Sequence, residues 1–159
     1  MILETLPLGV GAGVMLNVGA AKMRIAPPLP VDPQGYVRRP NPAVEHGDPL
    51  MVTAVVFQTP SSSAAVIAAD LAGQDHQMAE AMRSAVAAVI PVPAANVLIN
   101  ASHSHAAPWA RTDGAKLGGG FDRFTEAEIA YVNRLPHDFA SVALQAWNNR
   151  RPARGGGGG

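Results

Sequence analysis

The sequence predicts an α/β fold in which a mixed β-sheet is layered with helices. Three observations carry this. β-Branched extended runs alternate along the chain with apolar stripes at helical spacing. Two of the extended runs are joined by a connection short enough for a hairpin. Apolar residues make up 48% of the 159 residues and charged ones 15%, enough to bury one sizeable core.

Residues 1–16 read as an N-terminal loop segment, and residues 17–154 as the α/β domain. The apolar stretch from Leu6 to Ala21 contains Gly9, Gly11, Gly13 and Gly19, which disfavour a helix there. Glu4 stands where a signal peptide would carry positive charge. Neither a signal peptide nor a membrane-spanning helix is legible, so secreted and cytoplasmic placements both stay open.

The first strand is expected over 17–25. Residues 27–42, rich in Pro, Gly and Arg, form an irregular connection. The turn signal Asp48-Pro49 leads into a buried strand over 50–57, and Pro60–Ser63 turn the chain into another over 64–69, closed by Asp70. These two strands are expected to pair as an antiparallel hairpin. Asp75 is a good N-cap for a helix whose Met78, Met82, Val86 and Val89 share one face, and Pro91 and Pro93 end it. A strand over 96–104 and a glycine-containing loop over 109–122 follow. Thr125-Glu126-Ala127-Glu128 is a capping box for a second helix with the stripe Ile129, Val132, Phe139, Val142 and Ala146. Pro136 is expected to kink or interrupt that helix. Residues 155–159 are a glycine tail.

The formal net charge is zero, with no basic or acidic run. That argues against nucleic-acid partners and against a polybasic membrane patch. There is no cysteine, so disulfides and thiolate metal sites are excluded and any metal must take nitrogen or oxygen ligands. Gly9-Val10-Gly11-Ala12-Gly13 lacks the third glycine, at Val14, and the preceding strand of a dinucleotide loop. No Gly-x-Ser-x-Gly elbow is present.

Two of the five histidines, His103 and His105, stand at the end of the apolar run "NVLINASHSHAAP". In an extended strand they would share a face with Ala101, roughly 7 Å apart at their roots, opposite Asn100, Ser102 and Ser104. Two such imidazoles can converge on one metal, or one can hold metal while the other faces a substrate. The carboxyl end of a strand in an open α/β sheet is also where ligands usually bind. Alternatively, both rings simply bond backbone carbonyls. Asp70, ending the neighbouring strand, is a candidate second-sphere partner or a turn cap. His46, in a Glu-His-Gly-Asp turn, is the best outside candidate for a pocket wall. His76 and His137 read as exposed.

The segments "GAAKMRIAPP", "QGYVRR", "GDPLMVTAVVF", "AVIAADLAG" and "NVLINASHSHAAP", in this order, resemble the N-terminal part of the catalytic region of the neutral/alkaline non-lysosomal ceramidase family. The resemblance runs from about Val18 to the end of the chain. It implies a zinc-dependent hydrolase that cleaves the amide of ceramide to sphingosine and a fatty acid. His103 would be a zinc ligand, and His105 would line the site at the scissile amide and help stabilise the oxyanion. The substrate would be ceramide or another N-acyl amide lipid, which leaves peripheral membrane contact open.

Departures accompany the match. Arg24 and Ala26 replace an acidic residue and Thr before Pro27-Pro28, Gly47 replaces a His with His46 displaced by one, and Ala106-Ala107 replace Ser-Gly. The family's catalytic region is several hundred residues long, and its other zinc ligands, a His, a Glu and a Tyr, lie beyond the matched part. The chain is thus expected to be a truncated part of a larger domain, inactive alone and self-associating through uncovered apolar sheet. The alternative is a non-catalytic lipid- or protein-binding relative on the same scaffold.

Overall fold

The computed structural model describes residues 15–35, 42–115 and 124–154. The expected segments 1–16 and 155–159 fall almost wholly outside these residues. In chain order the elements are β1 (Leu16–Arg24), β2 (Met51–Gln58), β3 (Ser63–Ala69), β4 (Gly73–Gln74), α1 (His76–Val89), a 3-10 turn (Ala94–Asn96), β5 (Val97–Ala101), β6 (Trp109–Ala110), α2 (Glu126–Asn148) and β7 (Arg151–Ala153). Five strands form a mixed sheet in the order β5-β3-β2-β1-β7, and β4 and β6 form a small parallel pair.

β1, β2 and β3 are antiparallel neighbours, with Val18 facing Phe57 and Val55 facing Val66. β3 and β5 are parallel, with Ile67 beside Ile99 and Ala69 beside Ala101. α1 lies between them in the chain, as a parallel crossover requires. The mixed α/β layer fold and the hairpin read from the sequence are both present.

Strand alternation divides the sheet. One face buries Val52, Ala54, Val56, Ala65, Ile67, Ala69, Val97 and Ile99 in a single cluster with Met78, Met82 and Val86 of α1 and Leu135, Phe139 and Val142 of α2. Val89 and Ile129, expected in the helix stripes, are instead exposed at the helix ends. Gly19 lets α2 sit close on β1: a Cβ there would lie 2.0 Å from the Ala146 carbonyl oxygen. Beyond the helix, Asn149 donates to the Ala20 carbonyl at 3.1 Å and Arg150 stacks on the Trp147 ring.

Both helices start where the sequence places them. Asp75 caps α1 through the Met78 N–H at 2.7 Å and holds the Thr112 N–H at 2.7 Å. Burial works to raise its pKa, but the Met78 and Thr112 donors outweigh burial and hold the carboxyl below its ordinary 3.8. A depressed carboxyl stabilises the fold above its unfolded pKa, and that contribution is lost as pH falls through the folded value. Thr125 and Glu128 form the reciprocal capping box of α2.

α2 continues through Pro136 instead of being interrupted. A proline in a helix interior costs about 3 kcal/mol. Leu135 and Phe139, on either side of it, are fully buried. Each contributes about 1.5–3 kcal/mol, enough to carry the helix across the lost bond.

The opposite face of the sheet leaves Phe57, Val66 and Leu98 exposed, at 37%, 38% and 57%. Register places Val66 next to both Val55 and Leu98, so the apolar positions are contiguous. Such a face favours association. The chain is expected to sediment as concentration-dependent oligomers, and Val66→Lys with Leu98→Lys should shift it towards monomer. Unchanged sedimentation of the double variant would place the contact elsewhere.

Candidate functional site

The parallel pairing of β3 and β5 brings their carboxyl ends together. β5 ends at Ala101, so the histidines lie beyond the strand, not on its alternating face. The Ser102 N–H still donates to the Ala69 carbonyl at 3.0 Å. The chain then turns sharply at His103, whose φ is +58°. His is among the non-glycine residues that enter this region, at a cost of about 1–2 kcal/mol.

A hydrogen bond offsets that cost. His103 Nδ1 lies 2.5 Å from the Ala72 carbonyl oxygen. A carbonyl only accepts, so Nδ1 carries the proton, and in the neutral ring Nε2 carries the lone pair. The Ala72 segment is itself fastened: its N–H donates to the Pro108 carbonyl at 3.0 Å, and β4 pairs with β6 immediately after. Gly73 is pressed against Trp109, where a Cβ would meet the indole at 2.7 Å. The loop expected from residue 109 thus opens with two residues of strand, and residues 116–122 of it lie outside the described residues.

His105 returns beside His103, with ring centroids 5.0 Å apart and planes at 80°. The turn, not strand alternation, brings the two rings together. Trp109 adds its ring edge-to-face with His103 at 6.5 Å. The His103 side chain is exposed and His105 is half-buried.

Asp70 lies alongside. Its carboxylate accepts the Met51 N–H at 3.0 Å and the Ser102 hydroxyl at 3.2 Å. It therefore ties the start of β2 to the His-bearing turn rather than capping its own turn. Next to it opens a cleft of about 450 Å³, walled by His46, Ser104, Arg24 and Leu50. His46 is thus a cleft wall, as its turn suggested. His76, the first residue of α1, and His137 on α2 are exposed. The Tyr131 hydroxyl is buried and donates to the Ile25 carbonyl at 3.2 Å, and burial pushes its pKa up.

Among the described residues, His103 presents a ring nitrogen of the kind that could hold a metal. His103 has the held Nδ1 and presented Nε2 of a metal-ligating imidazole. Among the described residues, no group of three or more His, Cys, Asp or Glu is placed to hold a metal ion. His103, His105 and Asp70, singled out in the sequence, lie at one turn, with His46 on the wall of the adjacent cleft. Sequence reasoning missed the Ala72 carbonyl, which has no side-chain signal, and Gly35, whose place against His105 no local pattern announces.

Removing the Asp70 carboxylate by Asp70→Ala leaves the Met51 N–H and the Ser102 hydroxyl without their partner. The expected loss is about 0.5–1.5 kcal/mol, read as a lowered urea midpoint. An unchanged midpoint would mean that water replaces the carboxylate without cost.

No protein-family model matches the chain, and no curated protein matches it. Among solved structures it is similar to neutral ceramidase from Pseudomonas aeruginosa, with TM-score 0.67 and 15% identity over 87% of this chain and 22% of that one. A ceramidase complexed with C2 gives TM-score 0.61 and 16% identity over the same shares, 87% and 22%. At these identities the likeness is one of fold, and this chain spans under a quarter of the length of either. No described helix is long and apolar enough to cross a membrane. The five-stranded sheet and its two helices are thus similar in fold to part of a neutral ceramidase chain.

Proposed function

We propose that the chain is the N-terminal part of a zinc-dependent amide hydrolase acting on ceramide or a related N-acyl amide lipid. His103 is assigned as a zinc ligand and His105 as the group at the scissile amide. The observation that carries this reading is the His103 imidazole, whose Nδ1 is fixed on the Ala72 carbonyl at 2.5 Å. The ceramidase-like fold supports the substrate class.

In this reading His103 offers the Nε2 lone pair and Ala72 fixes both the tautomer and the ring angle. Bound zinc would polarise the amide carbonyl and bring the pKa of water down to about 7. His105, 5.0 Å from His103 between ring centroids, donates a ring N–H to the amide oxygen as that oxygen gains negative charge. Asp70 holds the Ser102 end of the turn, so the two rings do not drift apart. The remaining ligands are supplied from outside this chain.

Gly47 and Ala106-Ala107, which replace the family's His and Ser-Gly, favour a second reading, a non-catalytic lipid- or protein-binding relative. Zinc titration followed by imidazole NMR separates the two. The reading as part of an amidase predicts weak zinc binding that perturbs His103 first, is lost in His103→Ala, and gives no ceramide hydrolysis by the isolated chain. Identical zinc responses in wild type and His103→Ala would remove His103 from the site. Robust hydrolysis by the chain alone would contradict the assignment of missing ligands.

A further inference from the structure

An imidazole that must face a developing oxyanion needs a fixed ring plane, and His χ2 is a broad torsion that packing against the ring narrows. Gly35 is packed against the His105 ring. Its φ is +106°, outside the range that side-chain-bearing residues ordinarily adopt. A Cβ built on it would lie 2.4 Å from Cδ2 and 2.5 Å from Cγ of His105. Atoms do not approach that closely, so the backbone at Gly35 lies directly against the imidazole.

The segment carrying Gly35 is anchored to the same block. The Gln34 N–H donates to the Ala107 carbonyl at 2.9 Å, two residues beyond His105. The Gln34 side chain is buried, and its amide donates to the Asp32 carbonyl at 2.9 Å. Val31 exchanges backbone hydrogen bonds with Ala43 at 3.1 and 2.8 Å. The His103 ring meets His105 at 80°. His105 is thus bounded by a tethered stretch of main chain and by the ring of its partner.

We infer that Gly35 is a positioning residue for His105. Lacking a side chain, it lets the 31–35 segment act as a flat backstop that sets the angle at which the imidazole faces the substrate amide. Its functional meaning rests on the amidase reading, whereas its geometry does not. A methyl group at this position would force the ring to turn, and the change would be passed to His103 across the edge-to-face contact.

A double-mutant cycle tests this with the full chain: Gly35→Ala, His105→Ala and both together. The strain of placing alanine at a positive φ is common to both backgrounds and cancels, which leaves the ring contact. Gly35→Ala is expected to lower the urea midpoint further with His105 present than in the His105→Ala background. It should also shift the His103 ring-proton resonances, with no such shift added in the double variant. Equal midpoint losses with unmoved His103 resonances would overturn the role. If Gly35→Ala fails to fold, recovery of folding in the double variant supports the contact, and failure of both passes the decision to the unsubstituted chain. There a nuclear Overhauser effect between the Gly35 Hα and the His105 ring protons is required, and its absence overturns the inference. None of these readouts involves zinc or hydrolysis, so the positioning role and the amidase reading fail separately.

Discussion

The parallel pairing of β3 with β5 is the constraint on which the rest depends. Every other pairing in the five-stranded sheet is antiparallel. A parallel neighbour demands a long crossover, and α1 supplies it while filling the core with Met78, Met82 and Val86. The pairing sends both strands out at the same end, so Asp70 and Ser102 emerge side by side and the Ala69 carbonyl still receives the Ser102 N–H. Without that register, the Ala72 carbonyl would have no histidine to bind.

Energetics at the turn are finely balanced. A left-handed His103 costs about 1–2 kcal/mol. One net hydrogen bond contributes about 0.5–1.5 kcal/mol. The bond to Ala72 therefore offsets much of the strain but does not exceed it. The conformation persists because the neighbouring segments are pinned independently: Asp70 on Met51 and Ser102, Ala72 on Pro108, and Gln34 on Ala107. Strained backbone held by its surroundings is characteristic of places where geometry serves chemistry.

Much of this was legible in the residues. The Asp75 cap, the Thr125–Glu128 box, the β2–β3 hairpin and the site at the end of β5 each rest on a local signal, and local signals survive folding. Three features were not legible. α2 crosses Pro136 because tertiary burial of Leu135 and Phe139 outweighs a local penalty. β7 pairs only three residues with Leu16–Val18, a non-local contact without periodicity. The histidines meet through a turn rather than through strand alternation, because β5 ends two residues before His103. Alternation predicted the right neighbours for the wrong reason: i and i+2 residues come together in both geometries.

The geometry of the turn depends on the protonation of one ring. Long-range 1H–15N correlation spectra of 15N-labelled chain, above the pH at which its histidines are neutral, read the tautomer of His103 directly. With Nδ1 donating to the Ala72 carbonyl, the spectrum must show a protonated Nδ1 and an unprotonated Nε2. A dominant Nε2–H tautomer would mean that the Ala72 bond does not form. His103 would then lack the orientation on which the metal-ligand assignment depends.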